Sequence, residues 1–492
     1  MKKFFLISFM FVSLISIKSF PQHAKFNFDL SKVPFSFKGS YLAISMLDKT
    51  DYEGEGLYIR NVSGKSGFMH HGANFLLEVM NDSEIIEPEY QATPEMIRLI
   101  SSEGKAEIVF HDEKAIRIRG TIPMRLTTIK DESWGIFTIP NRIQPEEDRT
   151  FSIISFDNNS YQFSILDGQY EISRKEIEKD RMVVIDVKPS QSGFFEIVLD
   201  EFESGWLPRE YKKSFEECII DASDDFIEFK NNMPIVPHKY EETRTYAAYV
   251  NWSCIVEPRG LLKREGMFMS KNLMTNIWSW DHCFNAMALA NGLPDKAWDQ
   301  FMVMFDLQDE AGNMPDMVNP TRLYKGITKP PIHGWTIKKL MEFNNDLLTR
   351  ERLQIAYNVL SKQVAYWFNY RDIDGNKIPQ YINGCDSGWD NSTVFDSTTY
   401  VEGPDLSAYL IYQMDVLAEI AKKLDQPDMA KTYEEHANDL LSRFIERSWN
   451  GEKFVHKEVG SELYNKESRS LISYLPLILG ERLPKNIREK ND

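Results

Sequence analysis

The sequence predicts a multidomain chain in which an antiparallel β-sandwich is followed by an all-α domain. Three observations predict it. Residues 23–203 alternate apolar and polar side chains in short runs separated by turn-forming clusters. Beyond about residue 237 the apolar residues recur in steps of three and four. The 492 residues, 42% hydrophobic and 27% charged, have the length and composition of two or more globular cores.

The chain opens with MKKFFLISFMFVSLISIKSF, in which Lys2 and Lys3 precede an apolar run over residues 4–17. That order is the order of a secretory signal, so residues 1–22 are expected to be a signal peptide, cut within 19–22, and the mature protein to be periplasmic or secreted. The run is too short to span a bilayer, and no membrane span is expected once it is removed. Within residues 23–203, AEIVFHDEKAIRIRGTI and FFEIVLDEFE carry the two-residue period of strands, and SSEG, DNNS and PSQSG punctuate them as turns. Near Trp206 the pattern changes. PREYKKSFEECIIDASDDFIEF, within residues 204–236, reads as an acidic helical linker ending at NNMP.

Residues 237–492 read as helix after helix. In PDLSAYLIYQMDVLAEIAKKL, Leu406, Leu410, Met414, Leu417, Ala421 and Leu424 fall on one stripe that must be buried. Similar periods predict helices over 295–306, 334–343, 350–368 and 428–448. Periodicity alone leaves a bundle, a solenoid and a ring of helical hairpins open. The four cysteines, Cys218, Cys254, Cys283 and Cys385, lie far apart without a CxxC pair and read as small buried apolar groups rather than a metal site. RDIDGN, with Asp372, Asp374 and Asn376, begins like a calcium loop but lacks its later glutamate, so a plain interhelical turn is expected.

A net charge of −17 argues against nucleic acid or an anionic membrane as partner, because both reward a basic face. Glycine-rich phosphate-binding turns are missing, and no cofactor or metal is expected. The interhelical loops carry WSWDHCF, DEAGNMPDM, KPPIHGW and GCDSGWDNS, which set indoles beside carboxylates. Flat rings stack on the C–H faces of a sugar and carboxylates accept from its hydroxyls, so these loops suit a disaccharide or oligosaccharide. GCDSGWDNSTVF has two readings. It is a turn in which Asp386 or Asp390 bonds its own backbone while Trp389 covers a helix, or it sets a carboxylic acid against an aromatic wall, where lost hydration keeps it protonated for acid catalysis.

WSWDHCFNAMALA from Trp278, LQDEAGNMPDMV from Leu307, KPPIHGWTI from Lys329, DSGWDNS from Asp386 and DLSAYLIYQMDVLAEIAKKL from Asp405 follow one another in the order found in glycoside hydrolase family 63. From about Thr243 onward the chain resembles that family, which includes bacterial α-glucosidases and mannosylglycerate hydrolases and is related to trehalases. The resemblance implies an (α/α)6 toroid and an exported, inverting exo-glycosidase acting on α-linked glucosides or related α-glycosides. It also implies that Asp390, in SGWD, is the general acid, which agrees with the need for a protonated carboxyl at the glycosidic oxygen and a second carboxylate across the sugar.

By the same resemblance Asp281 grips hydroxyls of the terminal sugar beside Trp280, and Trp335, Gly388, Trp389 and Asp405 line the pocket. The plainer readings are helix N-caps for Asp281 and Asp405 and core indoles for Trp335 and Trp389. Lys329 stands where relatives commonly have glutamine, which puts the outer sugar subsite in question. The family's catalytic base lies beyond the last motif present. The toroid is therefore expected to be incomplete and this chain catalytically incompetent, with Asp281, Glu310 and Asp405 serving gripping or capping positions. The alternative is a non-hydrolytic sugar-binding or isomerase-like protein on the same scaffold, for which His282 and His333 would supply a histidine pair.

Overall fold

Alternation sends every second side chain of a strand into a core, and the strands of the amino-terminal half pair accordingly. The computed structural model describes residues 26–48, 55–64, 72–82, 84–129, 142–145, 149–154, 159–177, 180–466 and 468–490. The signal peptide expected over residues 1–22 lies outside the described residues. Two eight-stranded antiparallel sheets form. One runs Phe35–Ser36, Leu42–Leu47, Gly56–Asn61, Ala73–Asn81, Met124–Thr128, Asp180–Lys188, Gln169–Ile177, with Glu84–Ile86 beside Ala73–Asn81. The other runs Arg142–Pro145, Thr150–Ile154, Ser160–Asp167, Phe195–Phe202, Ala115–Gly120, Gly104–Asp112, Ile97–Ser101, Glu89–Ala92. They meet face to face: the Phe75 ring of the first sheet stands edge-on to Tyr161 and Phe163 of the second, with centroids 5.2 and 5.4 Å apart.

The outer face of the second sheet is covered too. Helix α1 (Phe215–Asn231), started by a capping box between Ser214 and Glu217, lays Phe215 and Cys218 on Met96 and Val109. The Arg119 guanidinium sits 4.0 Å over the Phe215 ring, and Arg117 is buried in an ion pair with Glu196. Polar positions that alternation assigns to solvent are thus enclosed by the following segment.

Helix α2 (Glu241–Cys254) joins the halves. Its Tyr249 hydroxyl donates to the Pro34 carbonyl at 3.0 Å, and one apolar core runs through both halves without interruption. At this join Lys271 is buried. Its ammonium donates to the Ser36 hydroxyl (3.0 Å) and to the carbonyls of Phe37, Ser40 and Ile255, and burial pushes its pKa down to about 7.

The carboxy-terminal half is helical: α3 (Asp281–Leu289), α4 (Pro294–Met302), α5 (His333–Phe343), α6 (Arg350–Tyr370), α7 (Pro404–Lys423), α8 (Pro427–Ser448) and a short α9 (Lys485–Arg488). The helix expected over 295–306 stops at Met302 and finishes as a 3-10 turn, Phe305–Leu307. Helix α7 buries more than its expected stripe, including Ala408, Ile411 and Val416, because α5, α6 and α8 all pack on it. Helix α5 packs on both α3 and α7, and Gly334 permits the approach to α7, since a Cβ there would lie 2.5 Å from the Gln413 backbone. The four cysteines are free thiols, with Cys385 half-buried and the others buried.

Candidate active site

The GCDSGWDNS segment holds its two carboxylates in different surroundings. Gly384–Ser387 is a 3-10 turn whose first residue is preceded by Asn383, and the Asn383 side chain accepts from the Asp386 amide at 3.1 Å. Asp386 is completely buried, and its carboxylate accepts from the Arg371 guanidinium (2.7 Å), the Ile382 amide (3.0 Å) and the Thr328 amide (3.0 Å). It is a strut that fastens three segments together. Asp390, four residues on, is exposed and takes no hydrogen bond or ion pair from the described residues. The chain turns between them at Gly388, where φ is +71° and a Cβ would meet the Trp280 indole at 2.4 Å, so this backbone lies flat against that ring. Trp389 packs on Val394, Val401 and Ile472, and its indole N–H has no partner.

Facing this loop are the starts of α3 and α5. Asp281 is the first residue of α3 and makes no side-chain cap. Burial raises its pKa, Lys329 opposes that shift, and Asp316 and Asp390 add to it, so these four charges lie within reach of one another. Asp316 is buried beside Lys329, with Nζ to Oδ1 at 3.0 Å, and Lys329 also donates to the Cys385 carbonyl at 2.6 Å. Burial likewise raises the pKa of Asp316, against the lowering effect of Lys329. The rings of Trp280, Phe284 and Trp335 form a row, with centroids 6.4 and 6.1 Å apart and Phe284 47% exposed at its centre. Asp316 and Phe284 are absent from the residues singled out by sequence, and Asp386 is singled out there without its role as a strut. NMPDMV and the i, i+4 spacing of Trp280 and Phe284 are the signals that could have found the first two.

Asp405 lies in the first turn of α7 behind Gly403, which is the N-cap residue. It is fully buried and accepts from the Tyr381 hydroxyl at 2.8 Å, and burial raises its pKa to about 7. His282 and His333 are also fully buried, with ring centroids 5.1 Å apart and Cys283 alongside. The Gln413 side chain accepts from the Gly334 amide and donates to Gln363, which donates to His333 Nδ1, while His282 Nδ1 faces the Trp278 carbonyl. This relay is anchored on a backbone amide, so neutral His333 carries its proton on Nε2 and has no lone pair there for a metal. Burial holds both imidazoles neutral, pushing His282 down to about 4. RDIDGN is a turn that uses its own side chains: Asp372 accepts from the Lys377 amide and Asn376 from the Ile378 amide.

Residues 274–490 match the family described as the mannosylglycerate hydrolase MGH1-like glycoside hydrolase domain. A mannosylglycerate hydrolase of Selaginella moellendorffii is 26% identical over a match covering 26% of this chain and 30% of that protein. One from Rubrobacter radiotolerans is 24% identical, covering 36% of this chain and 45% of that protein. The chain thus spans less than half the length of either relative. Among solved structures, an inverting mannosidase of family GH92 from Bacteroides thetaiotaomicron superposes with a TM-score of 0.53 at 10% identity, covering 88% of this chain and 64% of that one. That likeness supports the order of antiparallel sheets followed by helices. Ordered motifs, fold and family match agree, and the chain carries, over residues 274–490, a glycoside hydrolase domain of the mannosylglycerate hydrolase-like, family 63 type.

Proposed function

We propose that the protein is an exported, inverting exo-glycosidase acting on α-linked glucosides or related α-glycosides, with residues 237–492 contributing to an (α/α)6 ring beside the β-sandwich of residues 23–203 and the linker of 204–236. Asp390 is the general acid. Asp281 grips sugar hydroxyls, Trp280, Trp335 and Trp389 offer aromatic walls, Gly388 keeps the loop close to Trp280, and Asp405 stiffens the floor through Tyr381. The observation that carries this reading is the division of labour in one loop: Asp386 is consumed as a strut, which leaves Asp390 as the carboxylate free to meet a glycosidic oxygen. The buried, neutral histidine pair speaks against an isomerase.

Since the catalytic base is expected beyond the last motif, the test is to incubate the chain extended by a family carboxy-terminal segment with α-glucosides and α-mannosides and to follow released anomers by NMR. A β-configured product is expected. Binding without release from any substrate would favour the non-hydrolytic reading, and neither binding nor release would defeat both. Asp390→Asn is expected to keep sugar binding and to lower turnover by roughly 10²- to 10⁴-fold. Full activity in that variant would remove Asp390 from the mechanism.

A further inference from the structure

We propose that Lys329 and Asp316 are positioning residues that hold the acid loop in register with the segment carrying Trp280 and Asp281. The proposal rests on the glycosidase reading above and concerns how that same site is held. Lys329 and Asp316 are 7% and 8% exposed, and the ammonium lies 3.0 Å from the Asp316 carboxylate and donates to the Cys385 carbonyl at 2.6 Å. Asp316 belongs to the sugar-gripping side. Its carbonyl accepts from the Ser279 amide at 2.9 Å, and Met317–Val318, next in the chain, pair with Ile277–Trp278 just ahead of Trp280 and Asp281. Cys385 belongs to the acid loop, in the turn that precedes Asp390. One ammonium therefore spans the segment that grips the sugar and the segment that carries the acid. Thr328 adds its amide on Asp386 at 3.0 Å, and the buried Pro330 and Pro331, with φ locked by their rings, stiffen the segment behind it. Beyond Asp390 the loop is held by uncharged groups: Ser392 on Ser470 at 2.9 Å, Thr393 on Ser468 at 3.0 Å, and the Asn465 amide on the Thr393 carbonyl at 2.8 Å. Stability alone does not call for a lysine here, since apolar residues of similar volume are often neutral or stabilising in place of a buried ion pair. An apolar side chain, however, has no donor for the Cys385 carbonyl.

The experiment alkylates the chain with iodoacetamide and reads each cysteine by peptide mass spectrometry. Cys385 is half-buried beside the contact in question, and the buried Cys218, Cys254 and Cys283 report any general unfolding. Lys329→Met keeps the stem and removes the donor. Cys385 is then expected to react roughly ten to a hundred times faster, the factor that one charge-assisted hydrogen bond represents in a local opening, with the other three thiols still protected. Asp316→Asn, which keeps an oxygen for the ammonium, should give a smaller rise in the same direction. If all four cysteines of Lys329→Met react together, the Cys385 rate in Asp316→Asn decides. In the chain extended by a family carboxy-terminal segment, Lys329→Met should lower kcat on an α-glycoside by about a hundredfold, the cost of a misplacement on the order of 1 Å, and leave KM within about twofold. An unchanged Cys385 rate in both variants, or a faster rate with kcat unaltered, overturns the proposal. If the unaltered extended chain releases no sugar, the glycosidase reading falls, and the Cys385 rates still decide whether Lys329 holds the loop.

Discussion

Replacing Arg371 by leucine should loosen the acid loop more than any change to the loop's own side chains. Arg371 closes α6, donates to Asp386 at 2.7 Å and to the Tyr366 hydroxyl at 2.8 Å, and lies over the rings of Tyr366 and Trp367. Without it the Asp386 carboxylate stays buried with only the Ile382 and Thr328 amides for partners. Breaking a buried ion pair by removing one member costs about 3–5 kcal/mol, because the remaining charge is uncompensated. Asp386→Asn strands the buried Arg371 guanidinium in turn but keeps an oxygen acceptor for it, so its cost should fall at the lower end of the same range, about 3 kcal/mol. In the double variant the stranded charge is gone, so its loss should be smaller than the sum of the two single losses. Urea unfolding followed by tryptophan fluorescence measures all three variants. Because Thr328 directly precedes Lys329 and Ile382 precedes the SGWD turn, Arg371→Leu should also lower turnover more than sugar affinity. A loss under about 1 kcal/mol, or strict additivity in the double variant, would show that Asp386 is not the strut described here.

Two further outcomes are expected. Gly388→Ala places a β-carbon 2.4 Å from the Trp280 indole at a φ of +71°, which costs L-residues roughly 1–2 kcal/mol before the clash is counted; sugar binding should weaken by about tenfold or more, and wild-type affinity would detach that ring from the site. Asp405 has its pKa raised by burial to about 7 from an ordinary aspartate value of 3.8, so the folded chain holds a proton that the unfolded chain releases; this stability is present below about pH 4 and lost as pH rises through about 7, by on the order of a few kcal/mol. Asp405→Asn should flatten that dependence in urea unfolding at about pH 5 and about pH 8, and an unchanged slope would reject the assignment.

Strands and helices were legible because period and burial coincide: Leu406, Leu410, Met414 and Leu417 mark α7 before any contact is known. The extra burial of Ala408 and Ile411 was not legible, since it depends on α6 and α8 packing on the remaining faces of α7. The loops of the candidate site stand out in the sequence by their mixture of indoles and carboxylates. The division between Asp386 and Asp390 could not, because both are aspartates in one turn and only partners distant in sequence, Arg371 and Thr328, separate them. Lys329 was visible as an unusual residue. Its consequence depended on Asp316, an ordinary-looking aspartate on another loop. Residues whose role is set by chain neighbours are readable in sequence, and residues whose role is set by a cross-loop partner are not.

The ammonium of Lys271 has a bearing on how this protein can be taken apart. Its oxygen neighbours come from Ser36, Phe37 and Ser40 on one side of the join and from Ile255 on the other, and no carboxylate is among its hydrogen-bond acceptors. A chain cut between the β half and the helical half would leave this lysine only the carbonyl of Ile255 among those acceptors and would expose to water the apolar groups that the missing half had covered. The helical half is therefore not a cassette that recombination could move by itself into a new host. It travels with its β partner, and variants of the two halves should be inherited, exchanged and engineered as a single piece.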